Sequence, residues 1–307
     1  MKAKIIILLS AAIFLICGCA GKQVVGESKP QTDEDDIIIS MMSEDQELKN
    51  LFDKASAGDA DAQDQIGSWY SYAGKSWSES EYDSMRAAGQ QYYSKGLQYF
   101  LKAAKQGYAS AQSNLGVMYA EGEGVEQDYK KAFEWFSKAA EQGVASAQYN
   151  LGVMYAKGKG VERDYKKAFE LYSKAAEQGN APAWVELARM YYKGQGVKQD
   201  YKKAFEWISK AAEQGIAVAQ FYLGVMYYNG EGVAQDYKKA IEWYSKSAGQ
   251  GHASAQYNLG DMYRRGEGVV QDYKKAFEWY SKAAEQGYAD AQNDLGSMYG
   301  KGKGVER

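Results

Sequence analysis

Apolar and small residues fall at helical spacing along most of this chain, interrupted by paired glycines. Ala111, Leu115 and Tyr119 lie four apart; Tyr129, Phe133 and Phe136 follow at four and three; Gly122-x-Gly124 separates the two runs. Each run forms one stripe of a helix and the glycines break the pattern between them, so the unit predicts helix, turn and helix. Asp128 stands where a carboxylate can accept from the free amides that open the second helix, and Gly143 where a left-handed residue closes it. Helical periodicity starts at Leu48. The polar stretch before it, centred on Asp33-Glu34-Asp35-Asp36, predicts a flexible acidic tether over 19–47.

The unit recurs. Alanine-glutamine appears at Ala111-Gln112, Ala147-Gln148, Ala219-Gln220, Ala255-Gln256 and Ala291-Gln292, so the period is thirty-six residues. A fixed period in this range marks a solenoid, in which each unit completes its core against its neighbours. The unit at Pro182 departs from the pattern, with Trp184 in place of glutamine. An earlier degenerate unit, expected over 48–109, shows Ala62-Gln63 and Ile66-Gly67, with an insertion from about Gly74 to Gln91 that predicts a longer loop in place of the glycine turn. The array proper is expected over 110–307, and its last unit stops after one helix and its turn.

Ala-x-Ala-Gln-x-x-Leu-Gly-x-Met-Tyr, Gly-x-Gly-Val, Asp-Tyr-Lys-Lys-Ala and Ala-Ala-Glu-Gln-Gly together resemble the Sel1-like repeat, a relative of the tetratricopeptide repeat. The resemblance covers about Leu48 to Arg307 and implies an all-α fold, a right-handed α-solenoid of helix-turn-helix repeats. It also implies a role in binding other proteins. Some cysteine-rich members of that family are linked to penicillin binding and β-lactam hydrolysis and carry a disulfide in each repeat, which this chain lacks.

Lys2 and Lys4 precede an apolar run from Ile5 to Ile16, too short to span a bilayer and typical of a secretory signal. Ile16-Cys17-Gly18-Cys19 resembles a bacterial lipobox, which implies removal of residues 1–18 and lipidation of Cys19. Ordinary cleavage with release is the alternative. Ala20 lacks the aspartate associated with inner-membrane retention, so an outer-membrane location in a bacterial cell envelope is expected, with exposure at the surface left open.

Composition narrows the chemistry. Both cysteines lie in the first twenty residues, and His252 is the one histidine, which leaves no material for thiolate metal sites, cysteine proteases or a Ser-His-Asp triad. No Ser-x-x-Lys occurs. The Gly-x-Gly turns lack the third glycine and the preceding strand of a phosphate loop. Lysine pairs such as Lys130-Lys131 are interleaved with acids, and a net charge of -3 gives nucleic acid no footing. Neither a cofactor nor a metal is expected.

Function is therefore sought where the units differ. By analogy with tetratricopeptide arrays the first helices line a concave groove. Its varied positions bring up Tyr149, Arg189, Tyr192, Phe221, Tyr228, Tyr257, Asp261 and Arg264, expected as an exposed aromatic and arginine stripe. The expected function is a non-catalytic envelope adaptor that binds a protein or extended peptide there, with self-association through the open last unit as a further expectation. The alternative is a peptidoglycan- or β-lactam-acting cell-wall enzyme or wall-binding protein.

Overall fold

The computed structural model describes residues 46–79 and 83–304. The expected signal peptide, the lipidation at Cys19 and nearly all of the expected tether lie outside the described residues. The described residues form fourteen α-helices: α1 (Gln46–Ser56), α2 (Ala60–Ser78), α3 (Asp83–Lys105), α4 (Ala109–Glu121), α5 (Tyr129–Glu141), α6 (Ala145–Lys157), α7 (Tyr165–Glu177), α8 (Ala181–Lys193), α9 (Tyr201–Glu213), α10 (Ala217–Asn229), α11 (Tyr237–Gly249), α12 (Ala253–Arg265), α13 (Tyr273–Glu285) and α14 (Ala289–Lys301). The fold class is an all-α solenoid of tandem helical hairpins. It divides into two compact units, one reaching Ala147 and including Lys159–Glu162, the other comprising Gln148–Gly158 and the residues from Arg163 on.

Local chemistry sets the helix ends. Asp128 accepts from the amides of Lys130 and Lys131, each at 3.0 Å, and Asp200, Asp236 and Asp272 cap α9, α11 and α13 through single amides at 3.0 to 3.1 Å. The paired glycines do two different jobs. Gly194 caps α8 in the left-handed conformation, at φ 66°. Gly196, also left-handed at φ 70°, lies against the start of α7, where a Cβ would strike the Tyr165 carbonyl. Gly232 meets Tyr201 of α9 in the same way. The turn is thus a seam between repeats, and its second glycine permits the close approach.

The first unit shows where the insertion goes. Of the segment from Gly74 to Gln91, expected as a loop, residues 74–78 and 83–91 instead lengthen the helices: α2 has 19 residues and α3 has 23, against 13 in α4 and α5. Two glycines let these helices touch. A Cβ on Gly74 would lie 2.8 Å from the Tyr93 ring, and one on Gly89 would lie 2.9 Å from the Gly74 carbonyl. Around that crossing Trp77 packs on Tyr92 at 5.7 Å and Tyr70 stacks on Tyr99 at 5.8 Å, burying aromatic surface along the added turns.

In the second unit three hairpins close by a ring against a glycine. Tyr172 covers Gly152, Tyr244 covers Gly224 and Tyr280 covers Gly260, with a Cβ at any of these glycines falling 2.6 to 2.8 Å from the ring. These three tyrosines are buried to within 2 % of full occlusion. Glutamines tie the two helices of a hairpin together: Gln178 donates to Gln148 at 2.8 Å, Gln250 to Gln220 at 2.7 Å and Gln286 to Gln256 at 2.8 Å. Each bond joins side chains thirty residues apart within one repeat, and Gln250 also donates to the Gly215 carbonyl of the preceding repeat at 2.8 Å, so neighbours along the chain are joined as well.

Candidate functional site

All eight expected site residues fall in the second unit, on the first helices of their repeats. None of them is open in the manner of a bare stripe; each is half-buried. The Tyr149 ring packs 5.7 Å from Tyr172. Phe221 lies 5.9 Å from Tyr244 and stacks on His252 at 4.9 Å. Tyr257 packs between Tyr280 and Tyr288, at 5.4 and 5.1 Å. The expectation of exposed rings is therefore corrected: a ring at this position wedges between the two helices of its own hairpin and so contributes to the core.

The polar members are engaged too. Tyr192 donates its hydroxyl to Glu231 at 2.9 Å, and Tyr228 repeats that bond to Glu267 at 2.7 Å. Burial, then the bond to the carboxylate, pushes both hydroxyls up to about 12. Tyr257 donates to Asp294 at 3.1 Å. Asp261 accepts from Arg264, from Arg265 at 2.8 Å and from the Tyr280 hydroxyl at 3.2 Å. Arg264 Nε also reaches the Tyr280 oxygen at 3.1 Å. Burial disfavours the Arg264 cation, and the bonds to Asp261 and Tyr280 outweigh that cost, holding its pKa above the ordinary guanidinium value. Arg189 Nε donates to Glu186 at 2.9 Å and its Nη1 to Gln195 at 3.2 Å.

His252 caps α12: its Nδ1 accepts from the Ala255 amide at 3.3 Å, and burial lowers its pKa. The imidazole is thus neutral and structural. Among the described residues no group of three or more His, Cys, Asp or Glu side chains gathers as a metal site. No helix among them is long and apolar enough to cross a membrane.

The middle of the face holds two cavities that share Arg189. One, of about 350 Å³, is bordered by Tyr149, Lys157, Tyr172, Glu186 and Arg189 and is polar in character. The other, of about 160 Å³, lies one repeat further on between α8, α9 and α10. Its floor is aliphatic, formed by the buried Ala188, Ala204, Ile208 and Met226 beside Val185 and Val225. Arg189, Tyr192, Lys193 and Tyr222 make its rim, with Lys193 and Tyr222 exposed.

The apolar cavity has a specific origin. In this repeat Ala188 replaces the usual glycine and Ile208 the usual ring, so the smaller side chain accommodates the added methyl. Val185 stands where Tyr149, Phe221 and Tyr257 stand elsewhere. Two rings that pack on each other in the neighbouring repeats are thus absent together, and space remains. Sequence reasoning missed Ile208, Ala188 and Tyr222. The signal for Tyr222 was present: Asn114, Asn150, Glu186, Asn258 and Asp294 hold its place in the other repeats, and it is 47 % exposed.

Comparison with known proteins places these features in context. The family model described as Sel1 repeat matches residues 90–108, 109–144, 145–180, 183–216, 217–252, 253–288 and 289–307. Among solved structures, a protective antigen present in uropathogenic Escherichia coli strains and displaying an SLR fold is similar at 38% identity and a TM-score of 0.65. That match covers 83% of this chain, which spans only 59% of the antigen's. A Sel1 repeat protein from Oxalobacter formigenes is similar at 33% identity and a TM-score of 0.66, over 77% of this chain and 91% of that one. The curated proteins compared contain no significant match.

Proposed function

Because the chain belongs to the Sel1 repeat family, whose repeats generally mediate protein–protein interaction, we propose that it is a non-catalytic adaptor that binds a protein or extended peptide on the first-helix face of its second unit. The observation that carries this reading is a contrast within one sequence. The buried skeleton of alanine, leucine and methionine is repeated from α6 to α12, whereas the face over α8 and α10 departs from it in Arg189, Tyr192 and Tyr222. Tyrosine and arginine at half-buried positions present large area at low ordering cost. A cell-wall enzyme with a serine or cysteine nucleophile activated by histidine has no base here, because the only imidazole is occupied as a helix cap.

In the same proposal the mature chain begins at a lipidated Cys19, and the acidic segment 19–47 holds the array off the outer membrane. The similar antigen of uropathogenic strains supports an accessible location for this chain.

Sibling exchange tests the adaptor reading. Arg189→Val, Tyr192→Ala and Tyr222→Asn install residues that other repeats already carry, so helicity and melting temperature should stay near wild type. Crosslinked capture from bacterial envelopes should then lose a partner that the wild-type chain enriches. Equal capture by both chains would overturn the assignment of the face.

A further inference from the structure

The cavity between α8, α9 and α10 is the size and shape of something the other repeats supply for themselves. In the repeats on either side two rings pack together at this level, Tyr149 on Tyr172 and Phe221 on Tyr244, at 5.7 and 5.9 Å. Here Val185 and Ile208 replace them. The remaining volume of about 160 Å³ compares with aliphatic cavities of about 150 Å³ that take up one benzene molecule.

We propose that this cavity is a socket for one aromatic side chain of an extended partner peptide, with a carboxylate beside that ring held at the rim by Lys193. The inference rests on the adaptor reading and names the chemistry of its partner. Aliphatic side chains from three helices meet the ring on the floor, and the exposed Tyr222 ring extends the apolar surface outward. Charge fixes the sign of the neighbour. The lining includes Arg189 and Lys193 and no carboxylate; Glu186, which pairs with Arg189, borders the adjoining cavity instead. With Arg189 held by Glu186, Lys193 sets the sign of the rim: a basic partner would meet its ammonium at the entrance, whereas an acid next to the ring gains that contact.

Small probes test the socket on the full chain. N-acetylphenylalanine carries the ring and the acid, its amide carries the ring alone, and N-acetylleucine carries the acid without a ring. Followed by NMR, N-acetylphenylalanine should bind saturably with a Kd on the order of 1 mM, as its size allows. The amide should bind several-fold more weakly, and N-acetylleucine should not saturate. Lys193→Gln should weaken the acid and leave the amide unchanged.

The paired variant Ala188→Gly with Ile208→Tyr restores the glycine and ring of the sibling repeats and fills the space. It should abolish probe binding with an unchanged or raised melting temperature, and Val185→Tyr gives a second, independent filling. Equal binding of N-acetylleucine, or probe binding that survives both fillings, would overturn the socket. If filling abolishes probe binding yet leaves partner capture intact, the socket is no part of recognition, while the adaptor reading of the face stands.

Discussion

The indole Nε1 of Trp184 donates to the carbonyl of Ala176 at 3.0 Å. In other repeats a glutamine amide serves the equivalent carbonyl: Gln220 donates to Ala212, and Gln256 to Ala248, each at 3.2 Å. The most conspicuous break in the repeat pattern therefore preserves the bond. What it gives up is the glutamine oxygen, the acceptor used across the hairpin by Gln250 on Gln220.

Trp184→Phe should expose the value of that bond. It keeps a ring in place but leaves the Ala176 carbonyl, in a residue only 4 % exposed, without its side-chain donor. Chemical denaturation should show a loss of about 1–3 kcal/mol. Trp207→Phe, at a half-buried tryptophan in the next second helix, serves as the ring-size control and should cost less.

Gly224→Ala should destabilise the chain by about 1–3 kcal/mol through overpacking, because the new methyl would lie 2.6 Å from the Tyr244 ring. Adding Tyr244→Ile should recover part of that loss, since Ala188 with Ile208 is the same pairing in the repeat before. A double-mutant cycle measures the coupling directly. Strict additivity of the two changes would show that the pairing at Ala188 and Ile208 is not compensatory.

Alkaline pH should loosen the second unit. Tyr192 and Tyr228 hold their protons to about 12 in the folded chain, above the ordinary tyrosine value of 10.0. Their contribution is fully present below pH 10. Between pH 10 and 12 the unfolded chain releases these protons while the folded chain keeps them, so stability falls as pH rises through that window. Melting temperatures of Tyr192→Phe and Tyr228→Phe should fall less steeply there than those of wild type.

Cys19→Ser should abolish incorporation of labelled fatty acid in a bacterial host and move the protein from the detergent phase to the aqueous phase on partitioning. Undiminished labelling would overturn the proposed anchor.

The fold was legible because its rules are local. The spacing of Ala111, Leu115 and Tyr119, the aspartate before each second helix and the glycines after each first helix act within one unit, and thirty-six residues later they act again. The insertion was misread because it stands where the other repeats have their turn, and nothing in the repeat says that the extra residues continue the helices. Only the partners of Gly74 and Gly89, the Tyr93 ring and the Gly74 carbonyl, reveal a helix crossing. The site was partly legible for a related reason. Variation at Arg189 and Tyr192 stood out along the first helices, but whether a ring at Tyr149 or Phe221 meets solvent depends on Tyr172 and Tyr244 in another helix. The exchange of Ala188 and Ile208 likewise makes sense only across two helices, and Tyr222 lay in a column dominated by asparagine and acids.

The seam formed by the second turn glycine has a consequence for how such a chain can change over generations. Gly196 meets Tyr165, and Gly232 meets Tyr201, through identical local geometry. Any copy of the unit carries both halves of the joint, so a duplication or deletion of thirty-six codons leaves a seam that already fits. Length can then drift without redesign of the core, while each new copy offers one more stretch of face, free to diverge toward a different ligand.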